Sequence, residues 1–151
     1  MAMPEQPPED DRFDLPYRVH TNFELGMMLR GEKPLAVFSD WEGAIHPIIQ
    51  RYFRMFDRHV AAGRFIRRDH ATPRNDKLGL PGRRMVLFAL PEESWRIDAM
   101  IDLKGSLVPG GWKAEHERNE GTLLGYKDWQ NDVWLARNPH GLSGGEPGRG
   151  E

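Results

Sequence analysis

The sequence predicts an α+β fold, in which a small mixed or antiparallel sheet is packed by amphipathic helices and followed by a C-terminal helical hairpin. Short apolar runs typical of buried strands alternate with stretches whose apolar residues recur at helical spacing. Two helical patterns joined by a glycine lie near the C-terminus. Because 151 residues suit one domain, we expect a single α+β domain over residues 13–138.

The two ends of the chain differ from this middle part in composition. Residues 1–12 are acidic and rich in proline, and residues 139–151 are rich in glycine and proline. Segments with so little apolar surface do not offset the entropy lost on ordering, so both are predicted to be disordered tails.

Composition also predicts the compartment. The acidic N-terminus differs from a secretion signal, and the longest apolar run, residues 85–90, is far shorter than the roughly 20 residues of a membrane span. The chain contains 0 Cys, which fits a reducing compartment. We therefore expect a cytoplasmic protein that does not contact a membrane.

The first predicted elements are a short helix and a strand. Thr21 and Glu24 have the spacing of a capping box, and Gly31 follows as a stop, which predicts a helix over residues 22–30. The apolar run at residues 35–39, opened by Pro34, predicts a buried strand.

A second helix is predicted over residues 46–62, with Pro47 in its first turn and Gly63 just beyond its end. One side of this helix is apolar and is expected to face the core. Its members are Ile45, Ile48, Ile49, Tyr52, Phe53, Phe56 and Val60. Arg51, Arg54 and Arg58 fall together on the opposite side.

Residues 64–70 and 85–90 are predicted to be strands that pair as a hairpin across a polar loop, residues 71–84. The uninterrupted apolar character of residues 85–90 indicates a central strand that is covered on both faces.

Residues 91–104 fit two patterns, because a proline followed by two glutamates begins a helix well while the apolar residues alternate as in a strand. We favour the helix. The distinction matters for Asp98 and Asp102, which would be about 6 Å apart along a helix and about 13 Å apart along a strand.

Two helices are predicted at the C-terminal end of the domain, over residues 113–124 and 129–137, with Asp128 capping the second. A DNA-binding helix-turn-helix, in which Gln130 and Asn131 would contact the bases, has the same order of two helices joined by a turn. Acidic residues flank these two, so a packed hairpin is the favoured interpretation. Trp95, Trp129 and Trp134 are expected in the core.

Charge is segregated along the chain. Residues 51–84 contain 10 Lys/Arg and 3 Asp/Glu, whereas residues 1–50 contain 4 and 9, and residues 85–151 contain 7 and 11, which together give the net charge of −2. Nine of the ten cations in the middle segment are arginine, which favours bidentate recognition of carboxylate or phosphate.

This pattern predicts a non-enzymatic binding or regulatory domain with an Arg-rich face for an acidic partner, either a protein surface or a nucleic acid. The net charge argues against a dedicated DNA-binding protein. The competing interpretation is a solvated face whose arginines pair with Asp57, Asp69 and the acidic flanks. The candidate binding residues are Arg51, Arg54, Arg58, Arg64, Arg67, Arg68, Trp41 and Trp112.

No catalytic motif, cofactor fingerprint or metal-ligand spacing is recognisable, and the six histidines are scattered and expected at the surface. We therefore assign no catalytic residue, cofactor or metal, and the sequence does not indicate an oligomeric state. The alternative function is a small carboxylate- or metal-dependent hydrolase or transferase that uses Asp40 and Glu42, or Asp98 and Asp102.

Overall fold

A computed structural model describes residues 15–41, 46–79, 81–105 and 112–138, which form five α-helices and a three-stranded antiparallel sheet. The helices are α1 (Glu24–Leu29), α2 (Pro47–Ala61), α3 (Trp95–Gly105), α4 (Ala114–Leu124) and α5 (Asp128–Arg137). The strands are β1 (Leu35–Trp41), β2 (Ile66–Thr72) and β3 (Arg83–Ala89). The predicted α+β fold is confirmed, and the predicted tails, 1–12 and 139–151, lie outside the described residues.

β3 is the central strand of the sheet, whose order is β1-β3-β2. Leu87 of β3 lies opposite Val37 of β1 and Arg68 of β2, and both pairings are antiparallel. The predicted hairpin of the second and third strands is therefore confirmed. Its connection is shorter than predicted, because β2 continues to Thr72 and β3 begins at Arg83.

Apolar side chains cover both faces of the sheet, and they do so because successive strand residues point to opposite sides. On one face Val37, Met85 and Leu87 join a cluster completed by α3 and α4. On the other face Phe38 and Phe88 join a cluster that includes buried residues of α1 and α2. The sheet thus separates α1 and α2 from the three C-terminal helices.

The first helix begins later than predicted. Its first residue is Glu24, and the expected capping box is wrong, because no side chain caps α1 and the Thr21 hydroxyl is buried without a hydrogen-bond partner among the described residues. Glu24 is buried and accepts a hydrogen bond from Tyr52 instead. Gly31 follows the helix with a φ of 73°, as its role as a stop requires.

Helix α2 begins and ends within one residue of its predicted bounds. His46 precedes it, and its Nδ1 accepts a hydrogen bond of 3.1 Å from the Ile48 amide. Phe53 and Phe56 are buried as expected. Ile48 is 65% exposed, contrary to prediction, because it lies at the edge of the apolar side where no described element covers it.

Residues 91–104 are helical, as a short 3₁₀ turn at Pro91–Glu93 leads into α3. α4 ends at Gly125 in the left-handed conformation, and α4 contacts α5, which confirms the predicted hairpin. Asp128 does not cap α5 as predicted, because it is the first residue of the helix and Lys127 is at the cap position. The Lys127 amide donates a hydrogen bond of 2.7 Å to Gln130 Oε1. None of the described helices is long and apolar enough to span a bilayer.

The three tryptophans expected in the core divide in the structure. Trp134 is buried, but Trp95 is 57% exposed and Trp129 is 47% exposed, so the prediction is wrong for these two. The Arg96 guanidinium lies over the Trp95 ring, 4.7 Å from its centroid, and Tyr17 packs against Trp129 in a T-shaped arrangement.

Candidate functional site

Three of the predicted binding residues share one exposed side of α2. At about 100° per residue, Arg51, Arg54 and Arg58 lie within about 60° of one another around the helix axis. All three are exposed, and within the described ranges none of them forms a salt bridge. We call these three residues the arginine face.

Exposed apolar side chains adjoin the arginine face. Ile48 and Met55 are 65% and 44% exposed, and seven residues of helix place them about 20° apart in angle, next to Arg51. A surface that combines guanidinium groups with accessible hydrocarbon is typical of protein interfaces, where arginine and methionine are enriched.

Arg67 is neutralised within the molecule. Its guanidinium lies 2.7 Å from Asp57 Oδ2 of α2 and 2.8 Å from Asp69 Oδ1 of its own strand. It also lies over the rings of Phe53 and Phe88, at 5.6 and 5.5 Å from their centroids. The hydrogen bonds that Arg67 donates to Asp69 and Asp57 raise the pKa of Arg67, and the Arg67 guanidinium lowers the pKa of Asp69.

The other arginines of the predicted set also have partners. Arg68 forms a salt bridge with Asp98 of α3. Arg84, which is outside the predicted set, lies 3.0 Å from Asp69. Arg64 is exposed just beyond the end of α2, where its Nη1 lies 3.1 Å from His59 Nδ1. Of the six predicted arginines, the structure brings three together, places Arg64 beside a histidine, and holds two in salt bridges.

Trp112, one of the two predicted tryptophans, lies beside α4 and not beside the arginine face. The Trp112 Nε1 donates a hydrogen bond of 2.6 Å to Glu117, a buried carboxylate that also accepts one from Trp134 at 2.9 Å. The Lys104 ammonium lies 5.1 Å from the centre of the Trp112 ring. Trp112 is thereby committed to packing against α4. Trp41 is the last residue of β1, and its side chain lies outside the described residues.

The carboxylates of the alternative hypothesis are not assembled into a site by the described residues. Asp98 and Asp102 lie on exposed positions of α3, and Asp98 is occupied by Arg68. Glu42, the predicted partner of Asp40, lies outside the described residues. Among the residues with described positions, no group of three or more His, Asp or Glu is arranged to hold a metal ion.

Asn131 shows why the two C-terminal helices do not present a base-reading surface at that position. Its side chain is fully buried, and its Nδ2 donates to the hydroxyl of Thr122 at 3.2 Å. This contact fixes α5 against α4. The adjacent Asp132 forms a salt bridge of 2.5 Å with Arg118, which adds a second link between the two helices.

Sequence reasoning missed a buried charged cluster. Lys33 is fully buried, and its Nζ lies 2.8 Å from His20 Nδ1 and 6.0 Å from the centre of the Tyr126 ring, which stacks on His20. Burial lowers the pKa of Lys33 to about 7 and raises the pKa of Glu24, which attracts Lys33 electrostatically. Burial also raises the pKa of Tyr52, the hydrogen-bond donor to Glu24, to about 12.

No local signal distinguishes the members of this cluster from surface residues. His20 precedes α1, Lys33 precedes β1, and Tyr126 follows α4, so they meet only when these elements pack. The expectation that the histidines lie at the surface is wrong for His20, which is buried.

No family model, no curated protein and no solved structure matches this chain.

Proposed function

We propose that the protein is a non-enzymatic binding domain that uses the arginine face, Arg51, Arg54 and Arg58, to bind an acidic segment of another protein. The observation that carries the proposal is the absence, within the described part of the chain, of salt bridges to these three residues, while neighbouring Arg67 and Arg68 have carboxylate partners. A cytoplasmic location belongs to the same proposal.

The ion pairs around β2 support this role indirectly. Asp57 is the one acidic residue of α2, and Arg67 holds it at 2.7 Å. Because Asp57 is paired with Arg67, the one carboxylate of α2 does not compete with a partner for the arginine face. The positive field of the face is therefore directed to solvent, where it can attract an acidic partner.

The neighbouring side chains favour a protein over a nucleic acid. Bases stack on exposed aromatic rings, but Phe53 and Phe56 of α2 are buried, and the Tyr52 hydroxyl is bonded to Glu24. The exposed side chains that adjoin the arginines are Ile48 and Met55, which suit apolar residues of a peptide. The net charge of −2 also differs from that of a typical nucleic-acid-binding domain.

The test is the triple charge reversal Arg51→Glu, Arg54→Glu and Arg58→Glu. Its matched control reverses three exposed cations on the other side of the sheet, Lys113, Lys127 and Arg137, and changes the net charge equally. Both variants should show the circular dichroism of the unchanged protein, because none of the substituted side chains is buried.

Binding is measured by fluorescence anisotropy with an acidic peptide that alternates glutamate and leucine, and with a single-stranded oligonucleotide. We expect the arginine-face variant to bind the peptide at least about tenfold more weakly, with the control variant unchanged. Pull-down of partners from cell lysate should show the same difference. Equal weakening in both variants would leave only a net-charge effect and refute the proposal. Tighter binding of the oligonucleotide, with a steep salt dependence, would identify a nucleic-acid partner instead.

A further inference from the structure

A cavity of about 500 Å³ lies where β2 passes into β3, on the side of the sheet that faces α3. It is lined by the end of β2, the start of β3, residues 73–78 and Pro81 of the connection between them, and the last turn of α3. Its volume falls within the range of about 300 to 1,000 Å³ that is usual for sites of small organic ligands.

Part of the lining is apolar. Met85 is buried in the core and forms the inner end of the cavity, with the partly buried Ile101 of α3 beside it. Leu78 of the connecting turn also lines the cavity, yet its side chain is 57% exposed. A ligand with an apolar body would remove the exposed Leu78 hydrocarbon from water, which favours binding.

The charged part of the lining is predominantly cationic. Arg74, Lys77, Arg83 and Lys104 line the cavity, and Asp76 is the acidic residue among the described part of the lining. Arg74 lies 2.7 Å from Asp76, and Lys104 forms a salt bridge with the buried Glu120, so these two cations contribute little net charge. Lys77 is exposed and forms no salt bridge with the described residues. The resulting field favours an anionic group.

The turn that covers the cavity is held in shape by its own hydrogen bonds. Asn75 Oδ1 accepts from the Leu78 amide at 3.3 Å, and the Gly79 amide donates to the Asp76 carbonyl at 3.3 Å. Gly79 has a φ of 64°, which a glycine adopts without strain. These hydrogen bonds within the turn favour the conformation that lines the cavity, so binding has a smaller ordering cost.

We propose that this cavity binds a small organic anion with an apolar body, of the class of medium-chain or aromatic carboxylates. The carboxylate lies toward Lys77 and Arg83, and the hydrocarbon packs against Leu78, Met85 and Ile101. This site does not depend on the arginine face, because α2 packs on the opposite side of the sheet.

Decanoate, below its micelle concentration, is the probe, and the full chain labelled with ¹⁵N is the target. Decan-1-ol supplies the same apolar body without the charge, and acetate supplies the charge without the body. We expect saturable amide shifts with decanoate, grouped at residues 70–78, 83–85 and 101–105, and weaker or absent shifts with the other two compounds.

Two exposed positions allow substitution without disturbing the core. Lys77→Gln should weaken decanoate binding about two- to fivefold and leave decan-1-ol binding unchanged, as the loss of one exposed charge pair requires. Leu78→Asp should weaken it at least about tenfold, because it removes apolar contact and adds a repelling charge. Lys127→Gln, just before the distant α5, is the control and should bind as the unchanged protein does. Unchanged affinity in Leu78→Asp, or shifts spread over exposed apolar residues such as Ile48 and Met55, would overturn the proposal.

Discussion

The burial of Lys33 should make the free energy of unfolding depend on pH. The Lys33 Nζ is surrounded by Glu24, His20, Tyr126 and the carbonyl of Leu124. Its pKa is about 7 in the folded protein and 10.5 when unperturbed. Between these two values the unfolded chain binds more protons than the folded protein, so the free energy of unfolding rises with pH.

The magnitude follows from the two pKa values. For one group with pKa values of about 7 folded and 10.5 unfolded, the free energy of unfolding increases by about 2 kcal/mol from pH 7 to pH 9. Below pH 7 the group is protonated in both states, and its contribution changes little. The substitution Lys33→Met removes this titration while keeping an unbranched apolar side chain of similar length.

Urea unfolding at pH 6, 7, 8 and 9 measures the effect as the difference between the unchanged protein and Lys33→Met. With a slope of about 2 kcal/mol per molar urea, the difference between the two midpoints should change by about 1 M from pH 7 to pH 9 in favour of the unchanged protein. As a control, Lys127→Met replaces an exposed lysine, and its stability should change with pH in parallel with that of the unchanged protein.

Substitution of Glu24 tests the direction of the Lys33 pKa shift independently. Its charge raises the pKa of Lys33, so Glu24→Gln should lower that pKa further and move the rise in stability to lower pH. Parallel profiles for the unchanged protein and Lys33→Met across pH 7 to 9 would show that Lys33 is not buried as a titrating group, and would refute this reasoning.

Two further predictions concern stability, measured by urea or thermal unfolding. Gly125→Ala should lower the free energy of unfolding by about 1–3 kcal/mol more than Gly31→Ala does. Both glycines have positive φ, but a Cβ at Gly125 would lie 2.6 Å from Pro34 Cδ, whereas no described atom lies within 4 Å of a Cβ at Gly31. Equal losses would contradict this contact. Lys104→Met should cost about 3–5 kcal/mol by removing the cation that faces the buried Glu120 carboxylate, and adding Glu120→Met should recover most of it. A double variant no more stable than the single one would disprove that explanation.

The sequence by itself determined the elements whose signals are local. The bounds of α2 follow from apolar spacing and from Pro47, and Gly31 and Gly125 end their helices with positive φ because glycine accepts that conformation at low cost. β3 is central because an uninterrupted apolar run needs cover on both faces. The charge pattern also placed Arg51, Arg54 and Arg58 together on the exposed side of one helix.

Only the tertiary structure decided which charges are exposed and which are neutralised. Arg54 and Arg67 belong to the same basic segment, but Arg67 meets Asp57 because α2 packs across β2, whereas Arg54 points away from the sheet. Lys33 is buried because two other segments, residues 20–24 and 124–126, close around it, and the cavity forms where β3 lies beside α3. Such contacts join residues that are distant in the chain. Neither composition nor hydrophobic periodicity indicates which distant residues will meet.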